Sequence, residues 1–386
     1  MDNDESFEYN FLMKILTKQK ISFRTLCPIR LVITLFSLAV TAAYYIFRGN
    51  EAVMTGVYRY VTKPYHAFMS RLCGNVPFSA AEWLTAAAAA MALVYIIYNL
   101  VLLSFRENKG KRVYAMLLTL TMCAGLVWMG FSVLWGTCYY IPSFTERSGL
   151  DGGPISADAL GAVAGYFAAE ANTDGEKVAR DDSGIFAVSR ESILDRTPDV
   201  FGAAAEQFPF LAGEALRPKP VYFSRVMSRM NFTGFFSPFT GEANLNMDSP
   251  ACMLPATAVH ELAHQRGIAA EQECNFIAVL ACMESGDADF AYSGALMAYI
   301  YLGNALHSAD YEAWKAIRET LSDSVREDIL SINAYWAKYS GSSVKKASET
   351  VYEAFLRSNG QALGMKSYGA CVDLLVNYYY PACGPD

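Results

Sequence analysis

The residues best equipped for chemistry stand together in one short segment, Leu254-Pro-Ala-Thr-Ala-Val-His260-Glu261-Leu-Ala-His264-Gln-Arg-Gly267. Two histidines four apart project from one helix face, a turn from each other, so their imidazoles can meet at a single metal ion. Glu261 follows the first histidine directly and reaches the edge of the same site. There it can act as a base toward a water activated by the metal rather than as a ligand. Pro255 suits a first helical turn, and Gly267 suits a left-handed helix end. The chain has only four histidines, and two of them make this pattern.

A catalytic zinc site needs a third protein ligand. One class of site takes a histidine six residues after the second, just past a glycine. Here Gly267 is present, but that histidine position holds Ala270. The other source is an acid on the next helix. Glu271-Gln-Glu273-Cys-Asn275 opens a helical run, so Glu271 and Glu273 are the candidates. Two residues apart on a helix, they cannot both turn toward the metal. Glu271 is preferred, Glu273 is the alternative, and Asn275 is placed to orient a ligand. Tyr368 and His307 are candidate donors to the oxyanion formed when water attacks a carbonyl. The stretch Phe239 to Asn246 precedes the metal helix, where an edge strand could pair with an extended substrate.

The elements that must position these residues follow from composition. Apolar residues make up 53% of the chain and charged residues 18%, a balance that calls for membrane spans. Three uncharged stretches qualify: Leu31 to Phe47, Trp83 to Phe105, and Val113 to about Gly136. Trp83, Trp135, Tyr139 and Tyr140 fall at their ends, where aromatic belts form. Ser79-Ala-Ala-Glu82 reads as a capping box opening the second span. The first span reads as an anchor and not a cleaved leader, for want of a small-residue cleavage site. Phe290 to Leu306 could be a fourth span, but Ser293, Asn304 and three tyrosines favour a buried core helix.

Basic residues cluster before the first span (Lys14, Lys18, Lys20, Arg24, Arg30) and between the second and third (Arg106, Lys109, Lys111, Arg112). Both clusters belong on the cytoplasmic side, which puts everything after Pro142 outside. The expected organisation is a cytoplasmic arm over 1–30, a three-helix anchor over 31–142, and an extracytoplasmic domain over 143–386. In that last part Ser156 to Asn172 reads as an amphipathic helix capped by Ser156. Arg190 to Arg196 reads as a turn, Lys219 to Met247 as two or three short strands, and the rest from Pro255 as helical. His66 reads as an interfacial residue of the first loop, and Asp373 as a helix-surface acid.

A net charge of −7 without a basic stripe argues against nucleic acid as a partner. The nine cysteines contain no CxxC pair, so neither a zinc ribbon nor a thioredoxin-like site is indicated. They read as small buried apolar residues, Cys123 among them. Cys371 and Cys383 could bridge if they lie outside the cytoplasm.

Four stretches together resemble a bacterial membrane-protein family, domain of unknown function 3810: Ser237-Pro-Phe-Thr-Gly-Glu-Ala-Asn244, His260 to Gly267, Glu271 to Phe276, and Gly364-Met-Lys-Ser-Tyr-Gly369. With the three spans, the resemblance covers most of the chain. It implies a membrane-bound metallopeptidase and names no substrate. More distantly, Glu271-x-x-Cys-Asn275 is similar to the Glu-x-x-Ala/Cys-Asp motif of gluzincins, which implies Glu271 as third ligand. Asn275 stands where those families have Asp, and the spacer after His264 is shorter.

The expected fold is thus mostly α, three transmembrane helices followed by a zincin-like α+β, helix-rich metallopeptidase domain. The expected activity is zinc-dependent (Zn2+) hydrolysis of peptide bonds at the outer face of a multi-pass cell-membrane protein. His260, His264 and Glu271 or Glu273 would hold the metal, with Glu261 as base and Tyr368 assisting. The partners are a peptide or envelope protein and the lipid bilayer. A zinc amidase and a non-catalytic zinc-binding envelope sensor or scaffold are the rival expectations.

Overall fold

The structure is a computed structural model and describes residues 27–105, 108–150, 153–214, 216–359 and 368–383; the side chain of Tyr368 is not among those described. The basic arm up to residue 26 and the Gly364 to Ser367 part of the C-terminal motif lie outside the described residues. Helices dominate, with one small three-stranded sheet.

The chain forms two units, one of residues 1–46 and 85–132, the other of residues 47–84 and 133–386. The N-terminal helices run α1 (Pro28–Phe47), α2 (Glu51–Val57), α3 (Lys63–Gly74), α4 (Ala80–Phe105) and α5 (Lys109–Leu134), with a π-helical turn over Tyr58–Thr62 before α3. The helices α1, α4 and α5 are each long and apolar enough to cross a membrane. They begin a few residues earlier than the apolar runs alone suggest, because flanking polar residues continue the same helices. Within the first unit, Arg30 donates to Thr119 Oγ1 at 2.9 Å. A Cβ on Gly125 would stand 2.6 Å from Ser37 Oγ, so glycine there lets α5 approach α1 closely. Cys123 is exposed on α5 rather than buried; its helix simply turns that face outward.

The second unit continues through α6 (Phe144–Ser148), α7 (Ala157–Gly175), α8 (Arg190–Arg196) and α9 (Gly202–Gln207). Then come β1 (Lys219–Val221), α10 (Ser224–Met230), β2 (Gly234–Ser237) and β3 (Glu242–Asn246). The remainder is α11 (Leu254–Gln265), α12 (Glu271–Glu284), α13 (Ala288–Ala309), α14 (Tyr311–Glu319), α15 (Asp323–Ala337), α16 (Ser343–Ser358) and α17 (Tyr368–Cys383). Ser156 caps α7 as its sequence suggests. Arg190 to Arg196 is a helix and not a turn: its two apolar residues, Ile193 and Leu194, are fully buried, and that burial decides what a polar local sequence leaves open.

The apolar stretch Phe290 to Leu306 is a buried core helix of the second unit, packed on α7 and α12. Its Ser293 Oγ accepts from the Ala256 N–H at 3.1 Å, one of the donors that the start of α11 cannot satisfy internally. Asp328 is a second polar anchor. Its buried carboxylate accepts from Arg180 Nη1 and the Phe186 N–H, both at 2.9 Å, and from Tyr292 OH at 2.5 Å. All nine cysteines are free thiols, so Cys371 and Cys383 do not bridge.

The sheet has the order β1-β3-β2, with β1 parallel and β2 antiparallel to β3. Every residue of β3 is buried, which makes it the central strand. Of the sheet's two edge strands, β2 is the one packed on α11, upstream of the Phe239 to Asn246 stretch that sequence proposed. The hairpin closes through Gly241 at φ +66. A side chain there would collide with Ser70 on α3, whose hydroxyl donates to Gly241 O at 2.7 Å.

Residues 47–84, given to the anchor by sequence, group with the second unit. His66 is accordingly buried, edge-on to Phe236 of β2 with centroids 5.1 Å apart, and is not interfacial. Ser79 Oγ accepts the Glu82 N–H at 3.0 Å. The capping box is not closed, however: the Glu82 carboxylate instead accepts from the N–H groups of Tyr222 (2.8 Å) and Phe223 (2.6 Å).

Candidate metal centre

The helix α11, which carries the histidine pair, starts with Pro255 in its first turn and ends before Gly267, whose φ of +84 lets the chain reverse. No side chain fits at Gly267, because a Cβ would stand 2.2 Å from Tyr58 Oη. Residues 266–270 thus form a tight connection, and α12 opens beside the end of α11 with Glu271 as its first residue. A short spacer suffices because the second helix starts where the first one turns.

His260, His264 and Glu271 converge: one ligand atom from each lies within 4.8 Å of the others. Glu271 Oε2 is 3.3 Å from His260 Nε2, and Glu271 Oε1 is 3.7 Å from His264 Nε2. Two ligands on a tetrahedral centre with bonds of ~2.0–2.1 Å stand ~3.3–3.4 Å apart, so this spacing suits zinc.

The other ring nitrogens decide which face the site presents. His264 Nδ1 donates to Ile268 O at 2.8 Å, and His260 Nδ1 donates to Asn275 Oδ1 at 2.9 Å. The Tyr301 hydroxyl donates to that same Asn275 oxygen at 3.4 Å. With both Nδ1 protons committed, a neutral ring can offer only a lone pair at Nε2, and both Nε2 atoms face carboxylate oxygens. Acceptors facing acceptors repel unless positive charge lies among them, either a metal ion or a proton on a ring. This arrangement fits a metal ion.

The titration of these residues shows the same demand for positive charge, which a proton on His264 also meets. Burial opposes charge on Glu271, yet the two histidines outweigh it and hold its carboxyl well below the usual range. Burial would also lower His264, but Cys274 and Glu271 reverse this and the net direction is well upward. Burial pushes the Cys274 thiol up to about 11, so it is neutral near pH 7, and Glu271 is the charged partner that matters. Glu261 is buried, and its Oε2 has no hydrogen-bond partner among the described residues. Burial pushes its pKa up to about 7, with the two histidines pulling the other way. A buried carboxylate oxygen left open beside a cation site is placed to exchange a proton.

Glu273 points elsewhere. Its carboxylate accepts from the N–H groups of Phe144 (2.9 Å) and Thr145 (3.2 Å) and from the Thr145 hydroxyl (3.2 Å), and so caps α6. Two residues round the helix from Glu271, it is a structural acid and does not join the His260–His264–Glu271 cluster. His307 is exposed in the last turn of α13, against the rings of Tyr311 and Trp314. Asp373 is half-buried on α17, and burial raises its pKa. The Tyr368 side chain lies outside the described residues.

Two site residues were not singled out in the sequence. Tyr352, on α16, donates to Glu271 Oε1 at 2.5 Å and is raised in pKa by burial and then by the Glu271 charge. It stands 81 positions from Glu271, and no local signal marks it. Gly234 of β2 makes room for Glu261: a Cβ there would lie 2.5 Å from Glu261 Oε1. A glycine inside a strand between Thr233 and Phe235 is itself a sign of close approach.

No curated protein and no solved structure was found to match the chain. The model of one family, described as protein of unknown function DUF3810, matches residues 54–376. That span includes the histidine pair, Glu261, Glu271, Asn275 and Tyr352, and the chain belongs to the DUF3810 family.

Proposed function

We propose that this chain is a membrane-bound zinc hydrolase that cleaves amide bonds in peptides or envelope proteins. The observation that carries the reading is the pair of imidazoles whose Nδ1 atoms are committed and whose Nε2 atoms face Glu271. His260, His264 and Glu271 would hold the ion. Zinc bound there supplies Lewis acidity toward a carbonyl and a water that ionises near neutral pH. Glu261 takes the proton of the attacking water at its open carboxylate oxygen and returns it to the leaving amine. Tyr352 and Asn275 hold Glu271 and His260 in place. The edge strand β2, next to Glu261, suits pairing with an extended peptide as a further strand. A histidine-bearing helix beside an edge strand resembles the zincin arrangement. The Lys and Arg distribution supports an extracytoplasmic site.

The test is zinc stoichiometry and hydrolysis of a peptide library by the purified full chain, beside Glu261→Gln and His264→Ala. We expect Glu261→Gln to keep zinc and lose turnover, and His264→Ala to lose both. Full activity in Glu261→Gln would overturn the assignment of the base. Stoichiometric zinc in wild type without turnover on any peptide would favour a zinc-binding scaffold.

A further inference from the structure

The helix α3 is inside out. Its buried face carries Thr62 from the preceding turn, then His66, Ser70 and Cys73, at spacings of four, four and three. The opposite side exposes Phe68 and Leu72, one turn apart and 63% and 56% accessible, with Val61 on the turn before at 47%. A helix facing water does the reverse. The two hydroxyls of that face are satisfied inside the protein: Thr62 donates to Val133 O at 2.8 Å and Ser70 to Gly241 O at 2.7 Å.

A second apolar feature lies at the start of α4. Trp83 packs against Tyr222 and Phe223, with ring centroids 6.1 and 6.0 Å apart. Tyr222 is 76% exposed. The Glu82 carboxylate clamps the backbone of both aromatic residues, so they are fixed at the depth of Trp83. Trp83 belongs to the first turn of a helix whose later residues form a candidate span. Segment 48–79 is tethered at both ends to such helices, and Arg59 and Lys63 stand exposed beside Val61. Apolar side chains edged by cations, held where the chain enters and leaves a bilayer, match an interfacial lipid contact.

We propose that the second unit docks on the bilayer interface through the outward face of α3 and the Tyr222–Phe223 loop. The occupant is lipid, with acyl chains against Phe68 and Leu72 and phosphates beside Arg59 and Lys63.

Photo-crosslinking tests this without disturbing the fold, because every position used is exposed. The full chain is reconstituted in phosphatidylethanolamine–phosphatidylglycerol vesicles with p-benzoylphenylalanine replacing Phe68, Tyr222 or, as control, the 52% exposed Tyr311. After irradiation, lipid adducts at positions 68 and 222 should exceed those at 311 by about tenfold, as for side chains seated in the interface. Adduct levels at 68 and 222 equal to the control would overturn the proposal. Crosslinks at those positions to a second copy in place of lipid would overturn it too, and would assign the surface to dimerisation.

Discussion

Gly234 and Glu261 share one space. The strand residue has no side chain, and the carboxylate of the helix residue fills the room a Cβ would need, with Oε1 only 2.5 Å from that position. Gly234→Ala should therefore move the Glu261 carboxylate and leave the metal ligands alone. We expect zinc stoichiometry to hold, turnover to fall by about tenfold or more, and stability to drop by ~1–3 kcal/mol from overpacking. Metal analysis and kinetics on one preparation separate these effects.

The two acids of α12 should part company on mutation. Glu271→Gln removes the proposed anionic ligand and should abolish stoichiometric zinc. Glu273→Gln should keep zinc and instead weaken the cap of α6, at ~0.5–2 kcal/mol. Zinc content and thermal unfolding, measured on both variants, check the pair. Loss of zinc in Glu273→Gln alone would reverse the assignment.

Asn275→Ala removes the acceptor that fixes the His260 ring, and Tyr352→Phe removes the donor to Glu271 Oε1. Each should weaken zinc affinity by roughly 10–100-fold without eliminating binding. Competition with a chelator of graded strength measures this. An unchanged affinity in both variants would mean that neither residue positions a ligand.

His66 predicts a pH dependence of stability. Burial lowers its pKa to about 4 in the folded chain, against a usual value of 6.5. Between those values the unfolded chain binds a proton that the native ring refuses. Its contribution is thus fully present above pH 6.5 and shrinks as pH falls toward 4, by up to ~3 kcal/mol. His66→Phe should flatten that part of the stability profile relative to wild type. Equal slopes in the two proteins would show that the ring titrates normally.

The sequence reveals what neighbouring residues decide. The helix with the histidine pair carries its start at Pro255, its stop at Gly267 and its candidate site residues between them, so it can be read whole. The spans are legible because a bilayer demands long uncharged runs. Choosing between Glu271 and Glu273 needed Phe144 and Thr145, which bind the second acid from some 128 residues away. Tyr352 too is remote from its partner, 81 positions away. The connecting segment around His66 misled for a physical reason: an inverted helix has the composition of a surface loop, and only contact with Phe236 and Gly241 shows which face is inside.

The anchored imidazole rings also bear on how the centre fills. Hydrogen bonds to Ile268 O and Asn275 Oδ1 hold both rings in one pose, so the proposed ion would need no rearrangement of the helices around it. Stripping with a chelator should then be reversible, with circular dichroism nearly unchanged and activity restored on adding back zinc, which is the behaviour of a rigid socket rather than of a domain that folds around its metal.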